Sequence, residues 1–84
     1  MINKNMMQRI YISKFTALIK GKYEFSISTV LALDELTAEK ESIQLMTKAY
    51  EIDNVKPQLI CTRVVPDEYV IAAYQSLKEM SKLL

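Results

Sequence analysis

The stretch "KFTALIKGKYEFSIST", residues 14–29, surrounds the only glycine of the chain and decides the fold. Either a helix ends at Gly21, or two strands turn around it. The helical alternative rests on a cap at Asn5, a left-handed Gly21 and one shared apolar face, formed by Met7, Tyr11, Phe15 and Leu18.

A period of two on both sides of the glycine favours the strands. Odd positions are mostly apolar, whereas even positions between 14 and 28 are mostly polar. The apolar odd positions include Tyr11, Phe15, Ala17, Ile19, Tyr23, Phe25, Ile27 and Leu31. We therefore predict a β-hairpin, because strands also prefer these β-branched and aromatic residues.

The length of the turn sets the register of this hairpin. A three-residue turn, Lys20-Gly21-Lys22, places every apolar residue opposite another one on the same face. It pairs Ile19 with Tyr23, Ala17 with Phe25, Phe15 with Ile27 and Tyr11 with Leu31. A two-residue turn would mix apolar and polar positions on each face, which a half-buried sheet tolerates poorly. The sequence thus predicts the three-residue turn, with Gly21 at positive φ.

The remaining pattern predicts two helices and one further strand. A helix begins after a cap at Thr37, with Glu39 and Glu41 in its first turn, and fades within residues 51–57. Residues 58–65 predict a strand, and residues 66–84 predict a helix that starts at Pro66. Its apolar stripe is formed by Val70, Ala73, Leu77, Met80 and Leu84.

We read this order as a small α+β domain, β-β-α-β-α, that spans residues 1–84 as a single domain. A right-handed crossover gives a three-stranded antiparallel sheet in the order 2-1-3. Both helices are expected to cover the odd-numbered face of the hairpin. The stripe of the second helix is read as facing the core, although it would also suit a partner or a second copy.

Residue usage excludes most enzyme classes. The chain has no histidine, one cysteine and one glycine, so it lacks catalytic triads with histidine, zinc or iron–sulfur ligand sets and glycine-rich phosphate loops. The paired acids at residues 34–35, 39–41 and 67–68 lie where helix starts attract carboxylates. Cys61, beside Arg63, is read as a buried structural residue. We predict no enzyme, no cofactor and no metal site.

The single cysteine predicts a cytoplasmic protein, either in the cytoplasm of its own cell or in that of a host cell. Because the chain has no long uncharged apolar run, we also predict no membrane partner.

Charge is uneven along the chain, because residues 1–23 contain five basic residues and no acid. Candidate phosphate contacts are Arg9, Lys14, Lys20 and Lys22. The aromatic residues are expected on the opposite face, so this alternative, a nucleic-acid-binding module, would lack a stacking surface.

One apolar patch is expected on the face that no helix covers. It comprises Ile10, Ile12, Leu18 and Val30, and exposed apolar surface of this kind marks partner interfaces. The leading hypothesis is a small protein-binding module with a regulatory or inhibitory role that forms a homodimer through this face. Small regulators encoded by viruses or mobile elements commonly have such a composition.

Overall fold

The computed structural model of the protein describes residues 7–83 and confirms the predicted α+β fold. The elements are β1 (Arg9–Ile19), β2 (Lys22–Ala32), α1 (Glu35–Ala49), a 3₁₀ turn (Glu51–Asp53), β3 (Gln58–Val64) and α2 (Asp67–Leu83). Both strand pairs are antiparallel, and the order is β2-β1-β3. Three residues that the sequence analysis uses, Lys4, Asn5 and Leu84, lie outside the described residues.

The hairpin turn has two residues, so the predicted three-residue turn is wrong. Ile19 pairs with Lys22, and the turn residues Lys20 and Gly21 have φ values of 50° and 77°. Two successive positive φ angles define a type I′ turn, whose twist matches that of the flanking strands. The prediction failed because it allowed the left-handed conformation only at Gly21, whereas Lys20 adopts it as well.

This turn shifts the register by one residue and exchanges the two faces of β2. Tyr11 pairs with Val30 and Phe15 with Ser26, instead of the predicted Leu31 and Ile27. The predicted pairs of Ala17 with Phe25 and Ile19 with Tyr23 are also absent. Even-numbered residues of β2 therefore share a face with odd-numbered residues of β1, as a one-residue slip requires.

α1 packs against the face that carries Tyr11 and Phe15, which we call the covered face. Its buried apolar residues are Tyr11, Phe15, Ala17, Val30, Ala32 and Ala38. Small polar residues complete this core, and they satisfy one another as buried hydroxyls must. Ser13 Oγ lies 2.8 Å from Thr62 Oγ1, and Ser28 donates to Ser42 over 3.3 Å.

The cap of α1 is Asp34, three residues before the predicted Thr37. A carboxylate oxygen of Asp34 accepts a 2.7 Å hydrogen bond from the Thr37 backbone N–H. This bond, with a smaller contribution from the Thr37 side chain, lowers the pKa of Asp34 below its ordinary value. Because the folded pKa is the lower one, the cap stabilises the protein at neutral pH, and its contribution is lost as pH falls through that pKa.

α2 does not cover the sheet, in contrast to the expectation that both helices would. Every described residue of α2 is exposed, whereas α1 contacts all three strands. The described chain is only 17 Å thick along its shortest axis, which fits one sheet and one helix layer. The start of α2 is held by an exposed Arg9–Asp67 ion pair of 3.0 Å and by the Val65 N–H donating to Ile10 O. Within residues 7–83, α2 packs extensively on no other helix or strand, so its apolar stripe is exposed.

Candidate protein-binding face

The sheet surface opposite α1, which we call the open face, carries most of the large apolar side chains of the hairpin. Residue pairs across the β1–β2 ladder place six of them there, because directly opposed residues share a face. They are Ile12, Leu18, Tyr23, Phe25, Ile27 and Leu31, with exposed fractions of 38–70%. The larger apolar residues of β2 are therefore exposed, while the core beneath α1 contains mainly Ala, Ser and Thr beside Tyr11 and Phe15.

The exposed apolar area of the open face can be compared with that of known interfaces. A whole aromatic side chain has about 150–250 Å² of surface and Ile or Leu slightly less, so these exposed fractions amount to on the order of 600 Å². The largest apolar patch on a typical monomer measures roughly 300–600 Å². One side of a standard protein–protein interface buries about 800 Å². The open face thus approaches the area that one partner of a stable complex contributes.

Two cations accompany the apolar residues on the open face. Lys14 Nζ lies 5.3 Å from the centre of the Phe25 ring, within the range of a cation–π contact. Arg63 pairs with Ile12 across the β1–β3 ladder, and Cys61 pairs with Lys14. Cys61 is half-buried. The open face is consequently apolar, with positive charge on the β1–β3 side.

The predicted partner patch lies only partly on the open face. Ile12 and Leu18 are exposed there, and Ile10, which pairs with Leu31, is half-buried on the same side. Val30 instead lies in the core opposite Tyr11, 9% exposed, because the two-residue turn moved it to the covered face. Sequence reasoning missed Tyr23, Phe25, Ile27 and Leu31. Gly21 was the available signal, and a weak one, since two-residue turns prefer Asn, Asp or Gly rather than Lys before the glycine.

The four candidate phosphate contacts do not form one patch. Arg9 is paired with Asp67, and Lys20 lies in the hairpin turn. The register places Arg9 and Lys22 on the side of the covered face, since they pair with Ala32 and Ile19. Lys14 alone lies on the open face. Conversely, the corrected register brings Tyr23 and Phe25 to the face of Lys14, which the sequence argument had excluded.

A cleft of about 990 Å³ opens where β1 begins, β2 ends and α2 begins. Its charged lining residues are Arg9, Asp34 and Asp67. Arg9 and Asp67 neutralise each other, while Asp34 accepts the capping bond from Thr37. Among the described residues, each charged group of the cleft therefore already has a structural partner.

Within residues 7–83, no three histidine, cysteine or acidic side chains come together as a metal site would require. Over the same range, no helix combines the length and apolar character needed to cross a membrane. Comparison with protein-family models, curated proteins and solved structures returned no match to this chain. The interpretation of the open face therefore depends on its own residues.

Proposed function

We propose that this protein is a non-enzymatic protein-binding module with a regulatory or inhibitory role, and that it self-associates through the open face. One observation carries the proposal: six large apolar side chains lie exposed on one sheet surface. Exposed contiguous apolar surface of this extent on a small protein marks an interaction site. A cytoplasmic location would suit the single cysteine, which needs no disulfide partner in a reducing compartment.

A second copy of the chain suits the open face because both β1 and β2 expose large apolar side chains on it. Two sheets packed face to face interdigitate such side chains in a layer about 10 Å thick. A two-fold axis would bring identical patches together and make the contact self-complementary. Lys14 lies in the middle of the central strand, so a second copy would have to leave room for its ammonium group beside the Phe25 ring.

Ile12→Asp should disrupt this assembly and leave the fold intact, because Ile12 lies at the centre strand of the open face and is 38% exposed. Burying two unpaired carboxylates at a two-fold contact should weaken association by at least about 100-fold. Sedimentation equilibrium of both proteins measures this change.

Ile52→Asp is the matched control. Ile52 is 91% exposed in the 3₁₀ turn, away from the sheet, so the same substitution there should leave association unchanged. Self-association through this face would be contradicted if the wild-type protein stayed monomeric at all concentrations. It would also be contradicted if Ile12→Asp associated as strongly as the wild type.

Single-stranded nucleic acid is a second candidate, favoured by the presence of exposed Tyr23 and Phe25 on one face with Lys14. Base stacking on an aromatic side chain contributes about 1–3 kcal/mol per base. In this case, a random single-stranded oligonucleotide should bind at low salt and weaken as salt rises, with a slope of roughly −0.7 per phosphate contacted. Phe25→Ala should lower the affinity and Tyr74→Ala on α2 should not. Absence of binding at low salt would dispose of this candidate.

A further inference from the structure

We infer that the free edge of β2 pairs with β2 of a second copy in antiparallel orientation, which joins two three-stranded sheets into one sheet of six strands. This contact uses backbone groups at the strand edge. The proposed function uses side chains of the open face, so either contact can exist without the other.

The hairpin geometry determines which backbone groups of β2 are free. In a hairpin with a two-residue turn, the residues that flank the turn form a hydrogen-bonded pair, here Ile19 and Lys22. Even-numbered residues of β2 therefore bond to β1, and odd-numbered residues direct their N–H and C=O groups to the free edge. By the same alternation, even-numbered residues of β1 direct their N–H and C=O groups to the β3 side. The hydrogen bond from Val65 N–H to Ile10 O agrees with this alternation. Within residues 7–83, the backbone groups without a partner at this edge belong to Tyr23, Phe25, Ile27, Thr29 and Leu31.

The β2 edge lacks the features that normally prevent strand pairing. β2 has 11 residues, its register with β1 is continuous, and residues 25–33 contain neither a charge nor a proline. The other edge, β3, is shorter, has a register shift opposite Lys14 and Phe15, and follows Pro57 closely. A long, regular and uncharged edge strand is a template for another chain, so β2 is the edge on which pairing is expected.

Charge at the two ends of β2 selects the antiparallel orientation. The strand is preceded by Lys20, begins with Lys22, and is followed by Asp34 and Glu35. A two-fold axis therefore brings the basic end of one copy to the acidic end of the other, whereas parallel pairing would align like charges.

The charged side chains favour a register with Ser28 on the two-fold axis over one with Thr29 there. Odd-numbered residues must face one another to form hydrogen bonds, which allows Ile27 to pair with Thr29 and Phe25 with Leu31. Lys22 then lies opposite Asp34. Moving the axis to Thr29 would instead place Glu24 opposite Asp34, so repulsion disfavours that register.

Thr29→Pro tests the edge directly. It removes an N–H that points to the free edge and takes no hydrogen bond from the β1 ladder. Each two-fold pair loses two interchain hydrogen bonds, so edge association should weaken by at least about tenfold. Thr29→Ala changes the same side chain and keeps the N–H, so it should associate like the wild type. Equal association for the proline and alanine variants, with both folded by circular dichroism, would overturn the inference.

Cysteine cross-linking tests the register without depending on the proline variant. In a Cys61→Ser background, one tagged chain carries Ile27→Cys and a differently tagged chain carries Thr29→Cys. A hydrogen-bonded antiparallel pair has Cα atoms about 5.5 Å apart, which a disulfide spans. With equal amounts of the two chains, oxidation should give the mixed product in clearly more than the twofold excess over each homodimer that random linking would produce. Absence of that mixed product would overturn the proposed pairing.

The two interfaces are separable in one sedimentation experiment. If both exist, the wild type forms a tetramer or a larger assembly, Ile12→Asp and Thr29→Pro each form dimers, and the double variant is monomeric. A dimer that Ile12→Asp dissociates and Thr29→Pro does not would support the open face and overturn the edge. The reverse result would support the edge and contradict self-association through the open face.

Discussion

Phe15→Ala is expected to lower the free energy of unfolding by about 3–5 kcal/mol, whereas Phe25→Ala should lower it by less than about 1 kcal/mol. Phe15 is 1% exposed beneath α1, so its removal leaves a cavity in the core. Phe25 is 65% exposed on the open face and loses little burial. Urea unfolding of both variants measures the difference.

The two variants differ only in which side of the sheet loses a ring, which makes each the control for the other. Both should be made in the Ile12→Asp background and compared at one protein concentration, because association adds to apparent stability. Equal losses would mean that Phe25 is buried within the single chain. That outcome would restore the register of a three-residue turn and contradict the open face.

Thr62→Val is expected to destabilise the protein by about 1–3 kcal/mol, because it leaves the buried hydroxyl of Ser13 without a partner. Both residues are almost fully buried on the covered face. Combining Thr62→Val with Ser13→Ala removes both polar groups, so the double variant should be more stable than the sum of the two single effects predicts. Thermal or urea unfolding of the four proteins gives the coupling free energy.

Ser81→Ala is the control for this cycle. Its hydroxyl donates to Lys78 O on the exposed surface of α2, where water replaces the bond, so we expect a change within about 0.5 kcal/mol. Additive effects of Ser13→Ala and Thr62→Val would show that their hydroxyls do not depend on each other. The close polar contact beneath α1 would then contribute nothing specific to the core.

In this hairpin, most of the larger apolar side chains are exposed on the open face, and the covered face contains mainly smaller ones. The core beneath α1 combines two aromatic residues with small ones, and three hydroxyl pairs connect α1, β1, β2 and β3, including Tyr50 with Ser26. Small residues allow α1 to approach the sheet closely, yet they bury little apolar area. An 84-residue chain has a limited core in any case. Contacts between copies would add the missing burial, on the open face, on the stripe of α2, or on both.

The sequence by itself determined the elements and their order. The period of two in residues 11–31 identified both strands, the β-branched run at 58–65 identified β3 to within one residue, and residues 66–84 identified α2. These predictions succeeded because each pattern is local: a strand or a helix reveals its period within about ten residues. The strand order followed from the handedness of the crossover, which is nearly invariant.

Only the tertiary structure decided which side of β2 faces α1. A period of two defines two faces for each strand, but the length of the turn decides which face of β2 lies beside which face of β1. A turn that is one residue longer or shorter exchanges the two faces of β2. Lys20 adopts a positive φ that lysine seldom takes, so the residue types in the turn did not predict its two-residue length. The sequence also left the position of α2 undetermined. An apolar stripe indicates that a helix packs against another surface, but it does not identify that surface. The open face exists because of that single turn.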